Sequence, residues 1–196
     1  MKIYFASGNS HKREEMARIF QPHSIVLPSD EGISFNPEET ENSFFGNSLL
    51  KARALWEIVQ KPVLADDSGI CVDALNGAPG IYSARFGSEN GIELSSGQRN
   101  ELLLSRMKGI TNRTSRFVCS MVLYLGKDRF INVQETLEGV LIDRELGTGG
   151  FGYDPVLFVP SYNKTVAQMT AEEKDACSHR GKAGRLLVRL LTDDIT

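Results

Sequence analysis

Residues 2–20 read KIYFASGNSHKREEMARIF and combine a short strand, a small-residue turn and a helix. Lys2–Ala6 is mostly apolar, as in a buried strand, and it stops at Ser7-Gly8-Asn9, a composition typical of turns. Ser10 is then a candidate helix cap, because apolar residues follow it at helical spacing. A strand that leads through a tight turn into a helix favours the α/β class.

Farther along the chain, one long helix and a β-rich segment are expected. Ser43–Gln60 repeats apolar residues at spacings of three and four, which predicts a helix with one buried stripe. Asn47 and Lys51 lie four apart and away from that stripe, so they could face a ligand together. Arg116–Leu125 and Arg129–Leu137 are rich in strand-forming residues and predict a hairpin. We therefore expect a mixed sheet flanked by helices rather than a purely parallel one.

Composition narrows the class of protein. The chain has 196 residues, is 41% hydrophobic and 24% charged, and is therefore globular; we expect a single domain over residues 1–196. Its 22 basic against 25 acidic residues give a net charge of −3, which argues against a protein that coats nucleic acid. No apolar run approaches the ~20 residues of a membrane span, and the start lacks signal-peptide features. Three widely spaced cysteines suit a reducing compartment, so we expect a cytoplasmic protein without membrane partners.

A pair of carboxylates follows an apolar run near the middle of the chain. Pro62–Ala65 predicts a buried strand that ends on Asp66-Asp67-Ser68-Gly69, with a further short strand at Cys71–Leu75. Carboxylates at a strand end are well placed to hold Mg²⁺, which usually takes one or two protein carboxylates together with phosphate. A metal-held water beside a carboxylate base is a competent nucleophile. An ordinary capped turn is the alternative interpretation, and a serine hydrolase is disfavoured because no G-x-S-x-G surrounds Ser68.

Three other segments have compositions typical of ligand sites. Ser7–Lys12 joins a strand to a helix N-terminus and adds a lysine, which favours phosphate binding, although it is not a GxxxxGK[ST] loop. Gly147–Pro155 interleaves glycines with aromatic residues on which a base could stack. Lys174 and Ser178–Lys182 place cations at a helix start, against the dipole preference. Each segment also has a purely structural interpretation, as a turn, a hairpin loop or a solvated helix start.

Taken in order, four segments resemble the inosine triphosphate pyrophosphatase family, the Ham1-like pyrophosphatases of non-canonical purine nucleoside triphosphates. The matching segments are SGNSHK at 7–12, ADDSGICVDALNGAPGIYSARF at 65–86, GTGGFGYDP at 147–155 and SHRGKA at 178–183. The resemblance implies an elongated α/β fold around a long mixed sheet and a Mg²⁺-dependent homodimer. It also implies hydrolysis of ITP, dITP and XTP to the monophosphate and pyrophosphate, which cleanses the nucleotide pool of deaminated purines.

The resemblance further implies a role for individual residues. Asp67 would be the catalytic base and a metal ligand, with Glu39 as the second metal ligand and Ser68 beside the substrate. The other implied substrate-binding residues are Ser7, Gly8, Asn9, Ser10, His11, Lys12 and Lys51 around the phosphates, and Phe151, Gly152, Tyr153, Asp154, Lys174, His179 and Arg180 around the base.

One segment departs from the family pattern. The family commonly reads E-T-G-x-T-F-x-E-N-A-x-x-K-A, whereas residues 39–52 read ETENSFFGNSLLKA. Glu41 thus replaces a glycine and Gly46 a glutamate, which leaves Glu38, Glu39 or Glu41 to assist Asp67; Glu39 is the preferred assignment. Two other functions stay open: a catalytically silent nucleotide-binding protein, and a pyrophosphatase of modified pyrimidines or dUTP-like substrates.

Overall fold

The computed structural model describes residues 1–88, 91–127 and 129–194. Within these ranges the chain forms α-helices, β-strands and short 3₁₀ turns. The strands are β1 (Lys2–Phe5), β2 (Ser24–Val26), β3 (Val63–Val72), β4 (Thr114–Gly126), β5 (Arg129–Leu141), β6 (Leu157–Val159) and β7 (Lys164–Thr165). The helices are α1 (Ser10–Ile19), α2 (Phe44–Val59), α3 (Ser96–Arg106), α4 (Ala171–Cys177) and α5 (His179–Asp194).

The strands form one mixed sheet in the order β2-β1-β3-β4-β5-β6-β7. β1 pairs in parallel with β2 and with β3, whereas β6 pairs antiparallel with β5 and with β7. β4 and β5 are neighbours, and the Leu141 N–H donates to the Arg113 carbonyl across 2.9 Å, as in the expected hairpin. The predictions of the α/β class and of a mixed sheet are confirmed.

Two compact units can be distinguished. The first holds residues 1–67, 119–135 and those from 175 onward, and the second holds residues 68–118 and 136–174. No helix in the described ranges has the length and apolar composition needed to cross a membrane.

In the first unit, strand alternation divides the apolar residues between the two faces of the sheet. Ile3 and Phe5 of β1 face a cluster that includes Met16 of α1 and Leu187 of α5. The intervening Tyr4 faces a second cluster, to which α2 contributes Ala52 and Leu55. Because successive side chains of a strand point to opposite faces, the sheet is covered by α1 and α5 on one side and by α2 on the other.

Two details of the helices differ from the sequence expectation. Asn9 rather than Ser10 caps α1, since its Oδ1 accepts the Lys12 N–H at 3.1 Å and Ser10 is already the first helical residue. In α2, Ser43 accepts the Gly46 N–H as cap. Asn47 and Lys51 of α2, expected away from the buried stripe, are themselves buried, at 0% and 8% exposure. Their polar groups therefore need partners inside the protein.

In the second unit, α3 and α4 both begin with reciprocal caps. Ser95 and Gln98 form a capping box at α3, as Thr170 and Glu173 do at α4. The latter box is the one the sequence Thr170-Ala-Glu-Glu173 predicts.

Candidate active site

β3 continues without a break through Asp66 and Asp67, so the expected chain turn at this point is wrong. Asp67 lies on the face of Ala65, the side covered by α2, and Asp66 lies on the face of Leu64, the side covered by α1 and α5. Only 1% of Asp66 and 5% of Asp67 is exposed. Aspartate is disfavoured inside strands, but here each carboxylate has charged or polar partners from a covering helix. The strand therefore supplies one carboxylate to each face of the sheet.

On the α2 side, Asp67 lies together with three polar side chains. We call these four residues the α2-side cluster: Asp67, Asn47, Lys51 and Glu39. The Asn47 amide nitrogen donates to Asp67 Oδ2 across 3.1 Å. Lys51 Nζ lies 2.5 Å from Glu39 Oε1 and 3.9 Å from Asp67 Oδ1. The ammonium of Lys51 thus lies within ion-pair distance of both carboxylates, and the four-residue spacing of Asn47 and Lys51 brings both to Asp67.

Burial raises the pKa of Asp67, and this effect outweighs the neighbouring cations. Lys51 and Lys12 lower the pKa, as does the Asn47 hydrogen bond, while the carboxylate of Glu39 raises it. A carboxylate with a raised pKa and a fixed orientation is suited to accept a proton near neutral pH. The α2-side cluster therefore has the chemistry of a general base held beside a cation.

On the other face, Asp66 takes part in what we call the α1–α5 ion-pair chain: Glu15, Arg180, Asp66 and Lys12. Arg180 donates through Nη1 to Glu15 Oε2 at 2.7 Å and through Nε to Asp66 Oδ2 at 3.1 Å. The other carboxylate oxygen of Asp66 accepts from Lys12 Nζ at 3.0 Å. Arg180 is 2% exposed and Glu15 6% exposed, so Glu15 is a buried glutamate that was not expected from the sequence. Helical spacing places Glu15 on the side of α1 that carries Ile19, but it does not indicate the distant partner Arg180.

Opposite charges set the protonation state along this chain. Burial alone would raise the pKa of Asp66, but Lys12, Arg180 and Lys51 together hold it well below its usual range. Burial also opposes the charge of Arg180, yet Asp66 and Glu15 raise the pKa of its guanidinium. Asp66 and Arg180 are therefore both charged at neutral pH. Each of the two lysines, Lys12 and Lys51, lowers the pKa of both aspartates, although the aspartates lie on opposite faces of the sheet.

The expected phosphate-binding segment, Ser7–Lys12, comprises the turn after β1 and the first residues of α1. Ser7 Oγ accepts the Asn9 N–H at 3.1 Å, and Asn9 in turn caps the helix. Gly8 is exposed, with no atom within 4 Å of the point where a β-carbon would lie, and Ser10 and His11 are also exposed. The turn thus presents a helix N-terminus and Lys12 at the surface of the first unit, an arrangement that attracts anions.

In the second unit, the glycine-rich loop wraps around the carboxylate of Asp154. Asp154 Oδ2 accepts from the Phe151 N–H at 2.8 Å and from Lys174 Nζ at 2.7 Å. A β-carbon on Gly150 would overlap this carboxylate, and Gly150 has φ +71°. The glycines therefore have a structural task in closing the loop around Asp154.

Phe151 and Tyr153 of this loop differ in exposure. Phe151 is half-buried, with Lys174 Nζ 4.7 Å from its ring centroid. Tyr153 is 5% exposed, and its hydroxyl donates to the Ser83 carbonyl at 2.9 Å. Burial raises the pKa of Tyr153 to about 12. Of the two rings, Phe151 is the one with surface left for stacking on a base.

The remaining expected residues, and one unexpected residue, are wholly or partly buried. Ser68 follows Asp67 on β3 and is half-buried, as is Gly152 of the glycine loop. His179 begins α5 and is buried. Asn100 of α3 was not expected; its amide nitrogen donates to the Gly152 carbonyl at 3.1 Å and so holds the loop. No sequence signal marked Asn100, because its partners lie far along the chain.

The donor set of the α2-side cluster fits a magnesium ion. Among the described residues, no group of three or more His, Cys, Asp or Glu side chains is arranged to hold a metal. Mg²⁺ needs fewer protein ligands, since it retains waters and binds substrate phosphates. Glu39 and Asp67 already share one cation, the ammonium of Lys51. Oxygen donors that converge on a positive charge are those Mg²⁺ prefers.

Comparisons with known proteins concern the chain as a whole. Residues 3–190 match the Ham1 family. The chain is 54% identical over 183 residues to the dITP/XTP pyrophosphatase of Treponema denticola, covering 93% of this chain and 94% of the relative. It is 42% identical to the Escherichia coli K12 protein of the same name, covering 97% and 98%.

Solved structures give the same result. The Ham1 protein of Staphylococcus aureus superposes with a TM-score of 0.86 at 38% identity, covering 98% of both chains. A Ham1 protein from Coxiella burnetii superposes with a TM-score of 0.89 at 32% identity, covering 98% of this chain and 99% of that one. Sequence similarity over nearly the full length and a shared fold lead to one conclusion: this chain belongs to the Ham1 family.

Proposed function

We propose that the chain is a hydrolase of acid anhydrides, a nucleoside triphosphate pyrophosphatase that converts ITP, dITP and XTP to the monophosphate and pyrophosphate. One observation carries the proposal: the 54% identity, over 93% of the chain, to a protein named dITP/XTP pyrophosphatase. The pairing of Asp67 with Asn47, Lys51 and Glu39 supports it, since anhydride hydrolysis needs a base and cations in one place.

In this proposal Asp67 accepts the proton of the attacking water. The oxygen of the water bonds to the α-phosphorus, the bond from that phosphorus to the bridging oxygen breaks, and pyrophosphate leaves. The Asn47 amide fixes the Asp67 carboxylate, because its nitrogen donates to Oδ2 and its oxygen accepts the Glu41 N–H at 3.0 Å. Burial raises the pKa of Asp67 and so favours proton uptake.

Lys12 and Lys51 neutralise the triphosphate, which carries about four negative charges at neutral pH. Lys12 reaches the surface beside the N-terminus of α1, with its side chain 16% exposed. Lys51 would exchange its bond with Glu39 for a phosphate oxygen. Asp67 and Glu39 would hold Mg²⁺, which supplies further charge neutralisation on the phosphates and the leaving pyrophosphate.

Base recognition is assigned to the second set of implied residues. We propose that Phe151 stacks on the purine and that Lys174, His179 and Arg180 supply hydrogen-bond donors. Hypoxanthine and xanthine carry a carbonyl acceptor at position 6, whereas adenine carries an amino donor. A mismatched buried polar contact costs about 1–3 kcal/mol, so several donors give strong selectivity. Arg180 Nε and Nη1 and Lys174 Nζ already bond to carboxylates, so a contact of either side chain with the base would use its other N–H groups.

The test is the rate of pyrophosphate release with Mg²⁺ from ITP, XTP, ATP, dUTP and dTTP. ITP and XTP should turn over far faster than ATP. Equal rates on ITP and ATP, or inorganic phosphate as the first product, would refute the proposal. Faster turnover of dUTP than of ITP would favour a pyrophosphatase of modified pyrimidines. Binding of ITP without turnover would favour a catalytically silent nucleotide-binding protein.

Two variants test the roles within the α2-side cluster. D67N should fold and lose about 10²–10⁴-fold in kcat, the usual contribution of a general base. E39Q should raise the Mg²⁺ concentration that turnover requires. It should also weaken the binding of Mn²⁺, measured by electron paramagnetic resonance. The matched control is E38Q at the exposed neighbouring carboxylate, which should leave both unchanged. Full activity of D67N would remove Asp67 from the base role.

We further propose that the protein works as a cytoplasmic homodimer that cleanses the nucleotide pool, without nucleic-acid or membrane partners. The resemblance to the family supports the dimer. Light scattering coupled to size-exclusion chromatography should give twice the chain mass; a single-chain mass would refute the dimer.

A further inference from the structure

The α1–α5 ion-pair chain contains two buried carboxylates, Asp66 and Glu15, to which the proposed reaction gives no task. It joins Glu15 and Lys12 of α1 to Arg180 of α5 through Asp66 of β3. We propose that Asp66 is a positioning residue: it fixes the ammonium of Lys12 for contact with the substrate phosphates, while Glu15 and Arg180 hold Asp66 itself in place. This inference rests on the proposed function, because it assumes that Lys12 binds the triphosphate.

The two oxygens of Asp66 are used differently. Oδ2 bonds to Arg180 Nε at 3.1 Å, and Oδ1 bonds to Lys12 Nζ at 3.0 Å. A guanidinium is planar and rigid, and Arg180 is held on its far side by Glu15 at 2.7 Å. One oxygen of Asp66, Oδ2, is therefore held by a contact that does not involve Lys12. Asp66 then offers the flexible lysine side chain a fixed partner.

Exposure shows where an anion can join this chain. The side chains of Asp66 and Arg180 are 0% and 2% exposed, and that of Glu15 is 8% exposed, whereas that of Lys12 is 16% exposed. Two carboxylates and two cations balance inside the protein. The ammonium has three N–H donors, so Lys12 can keep its bond to Asp66 and still donate outward. A phosphate oxygen would meet a lysine whose freedom is already restricted, which lowers the entropy lost on binding.

A merely structural chain of ion pairs is the competing explanation. Both D66N and E15Q break a buried contact of Arg180, so both should reduce stability. Only D66N also removes the partner of Lys12. The two explanations therefore differ in the KM for ITP and in the Kd for inorganic pyrophosphate, not in melting temperature alone.

The experiment compares wild type with E15Q, D66N, K12Q and D66N/K12Q. Each protein is assayed for kcat and KM on ITP and for pyrophosphate binding by calorimetry without metal. We expect D66N to raise KM and the pyrophosphate Kd on the order of tenfold, the effect of one charge-assisted hydrogen bond. E15Q removes only an indirect support of Asp66 and leaves the bond between Asp66 and Lys12 in place, so it should raise KM and the pyrophosphate Kd clearly less than D66N does, at a similar loss of melting temperature.

The double variant provides the decisive comparison. If Asp66 acts through Lys12, D66N adds nothing to the KM or Kd of K12Q; independent, multiplicative effects would overturn the inference. Equal KM changes in D66N and E15Q, or an unchanged KM in D66N, would overturn it too. Should D66N fail to fold, D66E takes its place. Because D66E keeps a carboxylate beside Lys12, its Kd for pyrophosphate should lie close to the wild-type value. Weaker pyrophosphate binding by D66E than by K12Q would count against the inference. Wild type that binds pyrophosphate but leaves ITP intact would refute the proposed function and not the role of Asp66.

Discussion

Gly69 lies in the interior of β3, where the sequence suggests a turn, and its replacement by alanine is expected to destabilise the protein. A β-carbon at this position would lie 2.9 Å from Ser83 Cβ, and closer still to Ser83 Oγ and the Gly80 carbonyl oxygen. Carbon atoms pack at about 3.5–4.0 Å, so the segment Gly80–Arg85 would have to move by about 0.6 Å or more.

That movement would disturb the hydrogen bonds of Ser83. Its hydroxyl donates to the Gly80 carbonyl at 2.6 Å and accepts the Ile70 N–H at 2.9 Å. Overpacking costs about 1–3 kcal/mol and a lost hydrogen bond about 1 kcal/mol, while alanine restricts the unfolded chain and returns about 0.4–1 kcal/mol. The net loss for G69A is about 1–3.6 kcal/mol, or about 2–14 °C in Tm.

Urea denaturation and calorimetry measure this difference. The matched control is G97A in α3, because no atom lies within 4 Å of its β-carbon position and alanine favours a helix. G97A should match or exceed wild-type stability. S83A separates the lost hydrogen bonds from the steric overlap. A free energy of unfolding for G69A within about 0.5 kcal/mol of wild type would contradict the reasoning.

Three further predictions concern buried groups. Y153F should lose about 1 kcal/mol of stability with the hydrogen bond to Ser83. Because burial raises the pKa of the folded Tyr153 to about 12, only the unfolded tyrosine releases its proton between about pH 10 and 12, and wild type should lose stability relative to Y153F over that range. Parallel curves of stability against pH would count against this. K174M should destabilise by about 3–5 kcal/mol in urea, since it leaves the buried Asp154 carboxylate without its cation, and D154N/K174M should recover part of that loss; no recovery would exclude the pair. Burial raises the pKa of Cys119 to about 12, so mass spectrometry at pH 8 should find it far less alkylated in native than in unfolded protein, whereas rapid native alkylation would refute its burial.

Local pattern predicts elements well where neighbours along the chain decide the outcome. The helix predicted at Ser43–Gln60 and the capping box predicted at Thr170 both depend on contacts within four residues. The break expected at Asp66-Asp67 fails because the partners that stabilise two aspartates inside a strand come from other helices. Helical spacing places Leu186, Leu187, Leu190 and Leu191 together on the buried face of α5. Leu186 is nevertheless 38% exposed, since packing against α1 uses Leu187 and Leu191 instead.

The candidate site divides in the same way. Asn47 and Lys51 are predictable together because they are four apart on one helix. Glu15 and Asn100 are not, because each bonds to residues at least 45 positions away, including Glu145 and Arg180. The contacts of Arg180 also differ from those expected from its place in the sequence. A cation at a helix start suggests a ligand contact, whereas in the structure Arg180 bonds to the buried carboxylates of Asp66 and Glu15.

The alternation of β3 has a consequence for errors in folding. If this strand shifted by one residue against its neighbours, both aspartates would change faces. One of them would take the place of the other, and the second would lie where Ala65 or Ser68 lies now, away from its present partners, at a cost of several kcal/mol for a buried carboxylate without its cation. A misregistered molecule would thus be unstable as well as inactive. The two adjacent aspartates thus favour one strand register, because only that register gives both carboxylates their partners and assembles the site.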